Sequence, residues 1–136
     1  MSIISFAVPG VPQGKERPRV TKNRTFTPQK TRDYEEAIRW CWCGQSGVTL
    51  SVPLMARITA YFPIPKRTSK AKAAKLLGGY YTHKPDADNI AKAILDALNG
   101  LAYKDDSAVQ LGHVIKLYTN GLPRVEVVIT GVGTND

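Results

Sequence analysis

Cysteine is almost missing from this chain: Cys41 and Cys43, both in the stretch WCWCG, are the whole complement in 136 residues. Residues two apart on a helix point to nearly opposite sides, so the pair is badly placed to share a metal. His83 and His113 are the only histidines, so no finger-like set of zinc ligands can be assembled, and nothing implies a disulfide. Both thiols are expected to be packed as small apolar groups. Long apolar runs are absent as well, none approaching the roughly 20 residues that cross a bilayer. The opening MSIISFAVPG has neither the basic region nor the long apolar core of a signal peptide, and the chain is read as cytoplasmic. No internal repeat, low-complexity linker or glycine-rich phosphate loop is present. At this length the chain is expected to form one domain, residues 1–136, with a real core.

Acids are also scarce, eleven against nineteen Lys and Arg, for a net charge of +8. Their distribution says more than the sum. Lys15 to Arg32 carries seven cations and one acid, Glu16, while Lys66 to Lys84 carries six cations and no acid. Five of the eleven acids then fall between Asp86 and Asp106, opposed only by Lys92 and Lys104. Such a chain suits a polyanion in two places and a cation in the third.

The pattern of elements reads β, α, β, α, α, β, β, an α+β domain with a small mixed or antiparallel sheet and about three helices. SIISFAVPG is a strand closed by Pro9 and Gly10, and the proline-broken VPQGKERPRVTKNRTFTP is an exposed loop or short hairpin. Thr27 is expected to cap a helix that has Pro28 at its first position, carries Tyr34, Ala37, Ile38 and Cys41 at helical intervals, and stops at Gly44. PLMARITAYFPI reads as a strand, and KRTSKAKAAKLLGG as a short basic helix. DADNIAKAILDALNGL is the strongest helix, with Ile90, Ile94, Ala97, Leu98 and Leu101 on one side and Asp88, Lys92, Asp96 and Asn99 on the other. AVQLGHVIKLY and RVEVVIT are expected to close the fold as an antiparallel hairpin through Asn120 and Gly121, with a frayed tail.

The crowding of carboxylates in KPDADN needs a cause. A single aspartate after Pro85 is explained by helix capping. A second, two residues away, projects to the same side of an extended segment and repels the first unless a cation lies between them. Mg²⁺ takes hard oxygen ligands, commonly one or two carboxylates with waters and a substrate phosphate, so Asp86 and Asp88 are candidate ligands. Asp105 and Asp106 can add to the set if the chain after Gly100 returns to the helix start; otherwise they are an exposed turn. Lys92, four residues after Asp88 and four before Asp96, is either a rung in a surface ladder of ion pairs or the partner of a phosphate. His113 is read as structural or surface. His83 is ambiguous between exposure, DNA contact and general-base work.

The block HKPDADNIAKAILDALNGLAYKDDSAV resembles the signature of RusA-type Holliday junction resolvases. GVPQGKERPRV followed by FTPQKTRDYEEAI resembles the opening of the phage-type members, and the order of elements agrees along nearly the full chain. The resemblance implies that Asp86, Asp88 and Asp106 are metal-binding acids, with Asp105 less firmly placed, and that Lys92 is the catalytic lysine. It further implies a homodimer that cuts four-way DNA junctions with Mg²⁺ or Mn²⁺, in recombination and repair. Lys15, Arg17, Arg19, Lys66, Arg67, Lys70 and Lys84 are then expected to neutralise backbone phosphates. Two rivals stand beside this reading: a non-catalytic nucleic-acid binder whose aspartates merely cap and solvate a helix, and a metal-dependent nuclease for other branched DNA.

Overall fold

The computed structural model describes residues 3–17, 19–26, 28–45, 47–51 and 53–131. Its elements are β1 (Ile3–Pro9), β2 (Arg19–Thr21), β3 (Arg24–Phe26), α1 (Gln29–Gln45), β4 (Leu54–Pro63), α2 (Lys70–Leu76), α3 (Ala87–Leu98), β5 (Val109–Thr119) and β6 (Arg124–Gly131). A short 3-10 turn, Asp106–Ala108, leads into β5. The fold is α+β, with three helices and a mixed sheet. Among the described residues no helix is long and apolar enough to cross a membrane.

Strand order in the main sheet is β1-β6-β4-β5. β6 runs antiparallel to both β1 and β4, whereas β5 runs parallel to β4. The expected closing hairpin is therefore not formed, because β4 lies between β5 and β6. The turn itself is present, with Gly121 N donating to Thr119 Oγ1 at 3.0 Å, but it carries the chain past the end of β4. The reason lies in β4, where Leu54, Ala56, Ile58, Ala60 and Phe62 are all exposed by 2% or less. A strand this apolar is best placed where both of its edges are hydrogen-bonded. The proline-rich segment takes the hairpin form, β2 against β3.

α1 and α3 pack on one face of the sheet. Tyr34, Ile38 and Trp42 from α1 and Ile90, Ile94, Ala97 and Leu98 from α3 meet Phe6, Val8, Ile58, Val125, Val127 and Ile129 from the strands. α1 begins one residue later than expected, with the Pro28 carbonyl outside it accepting from Arg32 N at 3.1 Å, and it continues through Gly44 to Gln45. Thr27, expected as its cap, lies outside the described residues, as does the tail from 132 onward. Trp42 fills the core, Cys41 packs half-buried against it, and Cys43 is exposed; both are free thiols. The expectation of two packed cysteines fails for Cys43 on this account.

α2 is capped by Ser69, whose Oγ accepts from Lys72 N at 3.2 Å, and it buries no residue. The chain after it binds the outer edge of β5: Gly78 N donates to Tyr118 O, Tyr118 N to Gly79 O, and Tyr81 N to Lys116 O, at 3.2, 3.0 and 2.9 Å. This edge pairing delivers the acidic segment to the start of α3.

Candidate active site

The loop that carries the aspartates is fixed before α3 begins. The Tyr81 ring stacks on Phe62 at 3.8 Å and stands edge-on to Tyr118 and His83 at 5.1 and 5.4 Å. Its hydroxyl donates to Lys84 O at 3.2 Å, and Lys116 Nζ donates to His83 O and Pro85 O at 2.8 and 2.9 Å.

Asp86 occupies the N-cap position of α3, but its carboxylate makes no capping hydrogen bond. The Asp86 carbonyl accepts the first helical hydrogen bond, from Ile90 N at 3.1 Å, as an N-cap carbonyl ordinarily does. Asp86 Oδ2 lies 3.0 Å from Lys84 Nζ, in a pair whose side chains are 50% and 83% exposed and which therefore contributes little to stability. Asp88 follows in the first helical turn, exposed and without a side-chain partner among the described residues. Lys92, one turn further on, is likewise exposed and unpaired among them. The surface ladder that its spacing allowed is thus not formed.

Asp96 turns elsewhere. Lys15 Nζ sits 2.7 Å from Glu35 Oε2 and 3.4 Å from Asp96 Oδ2, tying the N-terminal loop to α1 and α3. Burial works against the charge of Lys15, but the hydrogen bond and charge of Glu35, then those of Asp96, outweigh it and raise its pKa above the ordinary 10.5. Lys15 was expected to meet phosphate; the structure commits it to two carboxylates. Its backbone N also donates to Asn89 O at 2.9 Å. A Cβ at Gly14 would stand only 2.9 Å from Pro85 Cβ and 3.0 Å from Asn89 Cβ, so this glycine allows the loop to touch the start of α3. Between them lies an open cleft of about 320 Å³, lined in part by Gln13, Lys30, Lys84 and Asn89.

The second acidic pair stands at the other end of α3. Gly100, with φ of +80°, turns the chain back on itself. Tyr103 OH then donates to Leu95 O at 2.6 Å, and Asp106 N to Asn99 Oδ1 at 3.0 Å. Ser107 Oγ donates to Asp105 Oδ2 at 2.8 Å and is the main cause of that carboxyl's lowered pKa. Asp106 is raised, by desolvation first and then by Asp105 and Asp96. Eight residues of helix separate Asp88 from Asp96, a rise of about 12 Å. Among the described residues no group of three or more His, Cys, Asp or Glu is gathered as for a metal. Asp86, Asp88 and Lys92 thus stand along the first turns of α3, and Asp105 and Asp106 beyond its other end. The pair at the helix start suits Mg²⁺, which is commonly held by one or two carboxylates together with substrate phosphate.

Of the expected phosphate contacts, Arg17, Lys66, Arg67, Lys70 and Lys84 are exposed. Arg19 lies in β2 by its backbone, with its side chain outside the described part.

Comparison with known families matches residues 9–130 to endodeoxyribonuclease RusA, which takes in the N-terminal loop, the α3 aspartates and the later acidic pair. The chain belongs to the RusA endodeoxyribonuclease family. A relative of uncharacterized function, protein YqaN of Bacillus subtilis (strain 168), is 36% identical over 141 aligned residues, covering 97% of this chain and 99% of its own. Family membership gives the α3 carboxylates a nuclease context. The residues that sequence reasoning missed are those that brace the loops around α3: Gly14, Glu35, Tyr81 and Lys116. Only Lys116 left a signal, as a cation at the alternation position between Val114 and Tyr118 on a strand.

Proposed function

We propose that the protein is a metal-dependent endonuclease that resolves four-way DNA junctions by paired, symmetric nicks, acting as a homodimer in DNA recombination and repair. The observation that carries this is the pair of carboxylates at the start of α3: the Asp86 carboxylate makes no capping bond and meets only the exposed Lys84, while Asp88 and, one turn on, Lys92 have no side-chain partner among the described residues. A helix that needed only a cap has no use for this arrangement. Asp86 and Asp88 would hold Mg²⁺, for which Mn²⁺ can substitute. The bound ion would supply polarisation of the phosphate and a lowered pKa for the attacking water. Lys92 offsets the negative charge that builds on the phosphate in the transition state. Arg17, Lys66, Arg67, Lys70 and Lys84 neutralise backbone phosphates, so affinity falls steeply with salt.

Asp106, and Asp105 beside it, belong to the site by family resemblance. Their place at the far end of α3 supports the reading that a second copy of the chain brings them to the pair. A twofold dimer also suits a junction with two equivalent strands to cut. The cytoplasm is the compartment we assign.

The test is incubation with a labelled four-way junction and a matching linear duplex, each with Mg²⁺ and with chelator. Symmetric nicks confined to the junction and abolished by chelator are expected. Asp88→Asn should lower cleavage by at least ~100-fold while junction binding stays level or strengthens, since one repulsive charge is gone. An Asp88→Asn protein that cuts normally would overturn the reading and favour a non-catalytic binder. Equal cutting of flapped or other branched DNA would broaden the substrate class.

A further inference from the structure

A lysine on the covered side of a sheet is costly unless its charge is answered, and Lys116 is answered by backbone carbonyls rather than by an acid. Along β5, Val114 packs against the core and Tyr118 is buried, and strand alternation puts Lys116 on that same face. Its Nζ holds His83 O and Pro85 O at 2.8 and 2.9 Å, and lies 5.6 Å from the centroid of the Tyr81 ring. The intervening Lys84 O is held by Tyr81 OH at 3.2 Å. Three successive carbonyls are therefore engaged, two of them by charge-assisted hydrogen bonds. The next residue is Asp86.

Asp86 has no side-chain hydrogen bond into α3 that would fix its position. Two carboxylates two residues apart repel, and a loose connection would let them separate. We propose that Lys116 is a positioning residue for the Asp86–Asp88 pair. By clamping the carbonyls on either side of Lys84, it sets where the chain enters α3 and so holds the two carboxylates at the spacing a divalent cation needs. Lys116 touches neither substrate nor metal. This inference rests on the reading of the pair as a metal site. Outer partners of this kind commonly change metal affinity by ~10-fold or more when removed.

The experiment compares wild type, Lys116→Met, Lys116→Arg and Tyr81→Phe. Three quantities are measured: the Mg²⁺ concentration for half-maximal junction cleavage, Mn²⁺ affinity by electron paramagnetic resonance without DNA, and amide hydrogen exchange over residues 81–88. Lys116→Met should raise the metal requirement ~10-fold in both titrations. It should also speed exchange in that peptide, recover cleavage at excess Mg²⁺ and bind the junction in chelator within about twofold of wild type. Lys116→Arg should fall between the two. Tyr81→Phe removes a single hydrogen bond and keeps the ring, so it should show a smaller shift in the same direction even if Lys116→Met fails to fold. Wild-type metal dependence in Lys116→Met, or in Tyr81→Phe and Lys116→Arg where the methionine variant is unfolded, overturns the assignment. So does a loss of cleavage that excess metal does not recover. If wild type neither binds Mn²⁺ nor cuts, the functional reading itself is overturned, a result distinct from the others.

Discussion

At the scale of single residues, Asp86 and Lys15 exchange the roles that their types suggest. An aspartate at an N-cap ordinarily accepts a backbone hydrogen bond, and replacing such a cap with alanine costs about 1 kcal/mol. Asp86 makes no such bond, so Asp86→Ala should change unfolding stability by less than about 0.5 kcal/mol. The same variant should abolish metal-dependent cleavage; denaturant unfolding beside a junction assay checks both. Lys15, in contrast, is the structural cation. Lys15→Met leaves the carboxylate of Glu35, only 10% exposed, without its partner, and the expected loss is about 1–3 kcal/mol. The sign of its pH dependence follows from the raised pKa. The advantage of wild type over Lys15→Met is fully present below the ordinary 10.5 and is lost as pH rises through the higher folded value. Unfolding curves for the two proteins between neutral and strongly alkaline pH should therefore converge only at the alkaline end.

At the scale of elements, the proposed site draws on three segments that are remote in sequence. α3 supplies the carboxylates, β5 supplies the clamp, and the N-terminal loop supplies a brace through Lys15 and Gly14. The contact at Gly14 is tight in a way a side chain cannot relieve, because its neighbours are the Cβ atoms of Pro85 and Asn89 and move only with their backbones. Gly14→Ala should therefore push the loop off α3, at a cost of about 1–3 kcal/mol. Faster exchange of the Lys15 amide, which donates to Asn89 O at 2.9 Å, would report the displacement. Retention of wild-type exchange would show that the loop absorbs the methyl group. α2 is built differently. With no buried residue it presents Lys70, Lys72 and Lys75 on a helix held to the fold by its flanking segments, as suits a surface that meets backbone phosphates.

At the scale of the whole molecule, the two acidic clusters at opposite ends of α3 bear on how many chains make a site. If Asp106 acts on the Asp86–Asp88 pair of a second copy, Asp88→Asn and Asp106→Asn are defects in different halves of a shared site. A heterodimer of the two then carries one site with both defects and one with neither. Mixing equal amounts of the two inactive proteins should restore nicking of one junction strand, to about a quarter of the wild-type rate, since random pairing makes half of the dimers mixed and each has one of two sites intact. If all three acids acted within one chain, every site in the mixture would carry a defect and no activity would return. A nicking assay on the refolded mixture decides between these outcomes.

Much of the fold was legible in residues whose physics is local. The period of Ile90, Ile94, Ala97 and Leu98 specifies α3 and its buried side, and the excess aspartate in KPDADN raises the question of a cation without any knowledge of the fold. The basic stretches and the α+β element order are properties of the chain itself. Other features are not local. Asn120 and Gly121 specify a reversal but not which strand β6 will join, and the burial of β4 decided that. The spacing of Asp88, Lys92 and Asp96 permits an ion-pair ladder, yet Asp96 is taken by Lys15 across the fold. The place of Lys116 between Val114 and Tyr118 marks a cation on a strand's covered face but not its partners, since His83 and Pro85 are more than thirty residues away and reach it only because residues 78–81 pair with the edge of β5. The sequence by itself determined which groups could bind a cation and a polyanion, because residue type and helical period are carried along the chain. Tertiary structure alone decided which of those groups stand together, because strand order and the packing of loops on helices set distances that no spacing encodes.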